Sequence, residues 1–143
     1  MLQASNISFA ESKALNPLVF DYIERKNELK QFYSYFPDKN GFSEILKSNL
    51  YSDFKRDKLS EILINQSALV KNSNDSSKRN IELLKNKNTY TVTTGHQLCL
   101  FTGPLYFIYK LFSVINLAED LKKDFPQFDF VPVYWMASED HDF

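Results

Sequence analysis

The sequence predicts an α/β fold, a mainly helical first part followed by a strand–helix–strand unit. Three observations carry this. Apolar residues recur at helical spacing through much of residues 17–84. The character changes near Lys87, where "TYTVTT", Thr89 to Thr94, is rich in β-branched residues and reads as a strand. A long amphipathic segment and a second apolar run, "FDFVPVYWMA", then come within about 50 residues, enough for a βαβ unit. The expected division is a helical region over 1–88 and the start of an α/β core over 89–143.

The elements can be taken in order. Asn16 before Pro17 suits an N-cap with proline at the first helical position. Leu18, Val19, Tyr22 and Ile23 then fall at helical spacing, and Leu29, Phe32, Tyr33 and Phe36 continue it. "PDKNG", Pro37 to Gly41, is expected to break that run, with a short helix from Ser43. Phe54 to Lys71 predicts a helix whose face carries Leu59, Ile62, Leu63, Leu69 and Val70. "NSNDSS" reads as a linker or cap, and Lys78 to Leu84 as a further helix. Pro104 suits the first turn of a helix running to about Lys123. Its apolar face is Leu105, Ile108, Phe112 and Ile115, widened by Leu111, Val114, Ala118 and Leu121. Pro132 cannot donate to a ladder, so the second strand is expected to begin there. Its unbroken apolar run suggests burial on both faces, as in a parallel sheet.

Composition bounds the function. The chain has 143 residues, a net charge of -1 and 43% hydrophobic residues. That balance gives no electrostatic case for nucleic acid or an anionic membrane. One cysteine, Cys99, excludes an internal disulfide framework or a multi-cysteine zinc site, and fits a reducing compartment. The N-terminus has no basic stretch followed by an apolar one, so no signal peptide is expected. No apolar run nears the ~20 residues of a membrane helix. The expectation is a cytoplasmic protein. The chain stops at "WMASEDHDF", directly after a strand-like run, which predicts a truncated chain with part of its core missing.

Both conspicuous motifs come directly after a strand. Open α/β sheets bind ligands at the carboxyl ends of their strands, so "TGHQLCLFTG" and "SEDHDF" would share one crevice if the strands are neighbours. Gly95 would let the chain turn as it leaves the first strand, and Gly103 would keep the helix entry free of a Cβ. The N–H groups at Leu105 and Tyr106 would then face a phosphate or carboxylate. The spacing is neither G-x-G-x-x-G nor a Walker loop. His96 could bond a phosphate or transfer a proton. Lys110, about two turns in, could reach back to the same anion. Cys99, flanked by Leu98, Leu100 and Phe101, reads as packing. Glu139, Asp140, His141 and Asp142 could orient an amine or act as an acid–base pair; one histidine with carboxylates defines no metal. The bland alternatives are a tight loop that binds nothing and a solvated acidic turn.

"TTGHQLCLFTGPLYFIYK" followed by "PVYWMASEDHDF" resembles the bacillithiol biosynthesis cysteine-adding enzymes. Their pattern is a Gly-Gln-Gln loop, then Thr-Gly-Pro-Leu-Tyr, a lysine four residues later, and Pro-x-Phe-Trp-x-Ala-x-Glu-Asp-His-Asp. Gly95, Gln97, Thr102 to Tyr106, Lys110, Pro132, Trp135, Ala137 and Glu139 to Asp142 match it. His96 stands where the family has glutamine, and Tyr134 where it has phenylalanine. The tight match covers about residues 91–143.

The resemblance implies a Rossmann-like core related to nucleotidyl-transfer folds, of which this chain would be an inactive N-terminal fragment. It implies a ligase that joins L-cysteine to glucosaminyl-malate, with a phosphoryl or adenylyl donor such as ATP or ADP as the reasonable cofactor. It also implies a full-length homodimer formed through a coiled coil. On this reading His141, Asp140 and Lys110 are the catalytic candidates. Gly95, His96, Gln97, Thr102, Gly103, Tyr106, Glu139 and Asp142 would bind substrate or nucleotide. The alternatives are a nucleotide- or anion-binding module and another ligase or nucleotidyltransferase of similar fold.

Overall fold

The structure is a computed structural model that describes residues 5–48, 55–69, 74–101 and 103–138. It separates into two compact units, residues 1–50 and 51–143.

In the first unit α1 (Phe9–Ser12) opens on a capping box between Ser8 and Glu11. Helix α2 (Pro17–Ile23) starts as expected, with the Asn16 side chain accepting from the Leu18 N–H. It does not continue to Phe36. Arg25 adopts a left-handed φ of 56°, Arg25 N–H donates to Tyr22 O, and Lys26 N–H donates to Asp21 O. That is a Schellman ending with arginine in the place glycine usually takes. The guanidinium holds the turn from outside, 2.8 Å from Asp38 and 4.0 Å over the Phe36 ring. A 3₁₀ turn (Asn27–Phe32) comes next, and Tyr22, Tyr33 and Phe36 form an aromatic cluster.

Helix α3 (Lys39–Ser48) begins inside the expected break rather than at Ser43. Asp38 Oδ1 accepts the Gly41 N–H at 2.9 Å, which caps the first turn. Gly41 is needed here because an added Cβ would collide with the Phe36 carbonyl.

In the second unit α4 (Arg56–Ala68) and α5 (Asp75–Leu83) precede β1 (Thr89–Gln97), α6 (Leu105–Asp124) and β2 (Asp129–Ala137). The face α4 turns inward overlaps only partly with the expected apolar one, since Leu59 and Leu63 are half-buried. Ile62 and Leu69 are exposed, Val70 lies outside the described residues, and Ser60 is fully buried, donating to Ile81 O. A serine is small enough for the helices to approach closely, and α5 supplies its acceptor. Helix α5 starts at Asp75, earlier than expected, because Asn74 accepts the Ser77 N–H.

The two strands are parallel neighbours, from Thr89 opposite Asp129 to Gln97 opposite Ala137. Both are longer than expected. β2 runs through Pro132, which sits opposite Val92. Among the described residues the sheet has two strands, and the pairing with β1 continues on both sides of Pro132. Helix α6 packs on the sheet mainly through the expected widening set, and of the expected main face Ile108 is half-buried. Ala118 and Leu121 are buried with Phe125 and Val131, while Leu105, Phe112 and Ile115 are exposed. The packed strip Leu111, Val114, Ala118, Leu121, Phe125 has the same 3–4 spacing as the expected face, so spacing permits both and the sheet selects the side. At the far end of α6, Lys122 donates to Pro126 O, Phe128 O and Asp129 Oδ1, closing the turn into β2. None of the described helices is long and apolar enough to cross a membrane.

Candidate functional site

Parallel pairing brings the carboxyl ends of β1 and β2 to the same edge, as the sequence motifs require. Gly95 pairs with Trp135 inside the ladder, so it is no turn residue. Its missing side chain has another reason. A Cβ would lie 3.1 Å from the Trp135 carbonyl oxygen and 3.3 Å from Trp135 Cβ, tighter than ordinary contact. Beyond β1, the Gly103 N–H donates to Leu100 O at 2.9 Å, while Phe101 and Gly103 take left-handed φ of 50° and 65°. A Cβ on Gly103 would meet Cys99 Sγ at 2.6 Å, so the space is filled by cysteine rather than held open for a ligand. Cys99 packs there as expected, only partly buried.

Three side chains converge on the end of β1. Lys110 Nζ donates to Gly95 O at 2.8 Å. The Tyr134 hydroxyl donates to His96 O at 3.2 Å. The His96 ring lies between a carbonyl and a phenol: Nδ1 is 3.0 Å from Gln97 O, and Nε2 is 2.7 Å from the Tyr106 hydroxyl. A carbonyl can only accept, so Nδ1 carries the proton. In the neutral ring Nε2 then accepts, and the Tyr106 hydroxyl donates. Aromatic contacts fix the arrangement, with the His96 ring centroid 5.2 Å from Tyr106 and 5.6 Å from Phe107, and Phe107 5.5 Å from Tyr134. The Tyr134 phenol is held above its ordinary pKa, first by desolvation and then by the nearby Cys99 sulfur, so it stays a proton donor.

Of the sequence candidates, the structure brings Gly95, His96, Gln97, Tyr106 and Lys110 together. Gly103 lies on the same loop. Thr102 and the acidic quartet Glu139, Asp140, His141 and Asp142 lie outside the described residues. Tyr134 and Phe107 were missed. Only the strand register, which sets Tyr134 opposite Thr94, two residues before His96, could have pointed to the first. Helix α6 starts at Pro104 with no side-chain cap, so its first turn, with the Lys110 ammonium, suits a phosphate or carboxylate. Among the described residues no three His, Cys, Asp or Glu side chains are placed to hold a metal ion.

Residues 2–143 match the family model described as bacillithiol biosynthesis BshC, N-terminal Rossmann-like domain. A protein of Flavobacterium psychrophilum named "Putative cysteine ligase BshC" is 45% identical over 142 residues, covering 96% of this chain and 26% of its own length. A Flavobacterium johnsoniae protein of the same name is 48% identical over 139 residues, with the same shares covered. One from Bacillus cytotoxicus is 35% identical over 131 residues, 92% of this chain and 24% of its own length. The chain thus spans about a quarter of the curated relatives it matches. With a family model covering residues 2–143, the chain belongs to the BshC family of bacillithiol biosynthesis, within its N-terminal Rossmann-like domain.

Proposed function

We propose that this chain is the N-terminal part of a ligase that joins L-cysteine to glucosaminyl-malate. The observation that carries the reading is the parallel pairing of β1 and β2, with Gln97 opposite Ala137, in a chain of this family. It supports one crevice in which the Gly95–Lys110 segment and the acidic quartet beyond β2 serve a common substrate.

Amide formation from a free carboxylate is uphill in water, so the cysteine carboxyl needs activation. ATP, when bound, would supply a phosphoryl or adenylyl group for that purpose. The first turn of α6 and Lys110 suit its phosphates, and Thr102 and Gly103 would contribute to the same binding. Lys110 places positive charge where negative charge develops. Gln97, Glu139 and Asp142 would orient substrate. Asp140 and His141 would face the glucosamine amine, which must lose a proton as the C–N bond forms. The full-length enzyme would work in the cytoplasm as a homodimer.

The test is an assay of the full-length protein with cysteine and glucosaminyl-malate, with and without ATP, read by product mass. ATP-dependent amide product is expected, and His141→Ala should lower turnover ~100-fold. No product under either condition overturns the reading. Near-normal turnover in a folded His141→Ala variant returns that residue to a solvated turn.

A further inference from the structure

We propose that Tyr106 is a specificity-determining residue of this crevice, presenting its hydroxyl oxygen as a fixed hydrogen-bond acceptor for a sugar hydroxyl. The inference rests on the ligase reading in taking one substrate to be an amino sugar.

The polarity of the chain of bonds fixes the role. In the neutral ring Gln97 O accepts from Nδ1–H of His96, which leaves Nε2 as an acceptor, and Nε2 takes the phenolic proton of Tyr106. A phenol has one proton, so the oxygen that remains can only accept. Tyr106 is 55% exposed, and this oxygen lies at the carboxyl edge of the sheet, where such folds take ligands. The tilted contact of its ring with the imidazole restrains the direction in which it points.

The donor it fits is uncharged. Lys110 Nζ lies 5.7 Å from the Tyr106 ring centroid, so an incoming ammonium would meet like charge. Cysteine carries an ammonium at neutral pH, whereas a sugar offers neutral hydroxyls. Residue 96 has only to accept a proton and hold the phenol. The glutamine that the family pattern has at this position can do the same through Oε1; an aliphatic side chain cannot.

The experiment uses the full-length ligase carrying this sequence. Tyr106→Phe should raise KM for the amino-sugar substrate about tenfold, the effect of one lost hydrogen bond, with kcat and the KM for cysteine unchanged. His96→Leu should behave likewise, and His96→Gln should raise that KM several-fold less than His96→Leu. Imidazole nitrogen NMR should show His96 protonated at Nδ1 in wild type and still at Nδ1 in Tyr106→Phe, with the Nε2 resonance shifted by loss of the phenol donor. An unchanged amino-sugar KM in Tyr106→Phe overturns the proposal, as does a KM rise confined to cysteine. So does a His96→Gln variant as impaired as His96→Leu, or an Nε2-protonated His96 in wild type. If wild type makes no product, the ligase reading fails, and calorimetry with glucosaminyl-malate decides this one separately. Tenfold weaker binding to Tyr106→Phe supports it; equal affinity, or no binding to wild type, overturns it.

Discussion

Gly103 shows how one missing methyl holds the strand-to-helix loop. Its φ of 65° alone makes alanine there cost ~1–2 kcal/mol, and the Cys99 sulfur already occupies the space of the new methyl. Gly103→Ala should therefore destabilise the protein by about 2 kcal/mol. Adding Cys99→Ala should recover part of that and leave the backbone cost, a non-additivity that a double-mutant cycle in urea measures. Strict additivity would mean that cysteine and glycine do not share the space. Lys110 carries a second prediction. Lys110→Met removes a charge-assisted bond to Gly95 O and should cost about 1 kcal/mol. It should also flatten the salt dependence of ATP binding. If ATP binds Lys110→Met as tightly as wild type at every ionic strength, the ammonium belongs to the fold and not to the anion.

At the scale of elements, the start of α3 has a pH dependence of known sign. The Asp38 carboxyl is held below its ordinary pKa, chiefly by the Gly41 N–H and further by Arg25. The stabilisation this gives is present above the unfolded-state value of ~3.9 and is lost as pH falls through the lower folded value. Urea unfolding at pH 6 and pH 3 should show wild type losing more stability than Asp38→Asn, whose amide oxygen can still cap. Equal losses would remove Asp38 from the account.

The same segment shows how far local pattern can be read. The strand–helix–strand order was legible because β-branched runs and Pro104 are local signals, and with it the candidates Gly95, His96, Tyr106 and Lys110, which the structure brings together. The end of α2 was not, because its left-handed residue is Arg25, whose cost is met by Asp38 and Phe36 further along the chain. The packed sides of α4 and α6 were hidden for a related reason. Several stripes on each helix are apolar, and the partner selects one. Tyr134 escaped notice because nothing local distinguishes it; only pairing with β1 brings its hydroxyl to His96 O.

At the scale of the 51–143 unit, Arg56 ties the start of α4 to the junction between α5 and β1. Its guanidinium donates to Leu84 O at 3.1 Å and to Thr89 O at 3.0 Å, on either side of that junction. Arg56→Met keeps the aliphatic stem but orphans two carbonyls. It should cost about 2 kcal/mol, with a lower midpoint in thermal and urea unfolding. A variant as stable as wild type would show that water replaces the guanidinium at no loss.

The strand register also sets a clock. Thr89 pairs with Asp129 and Gln97 with Ala137, a constant offset of 40 residues. A ribosome adding roughly 5–20 residues per second would leave β1 without its partner for about 2–8 s. Helix α6 lies wholly within that interval and forms in about a microsecond once exposed. Each nascent chain thus carries "TYTVTT" as an unpaired β-prone run until β2 emerges, the kind of segment that recruits chaperones or neighbouring chains. Synthesis speed across Leu105 to Ala137 then becomes a determinant of yield, separate from the stability of the finished protein.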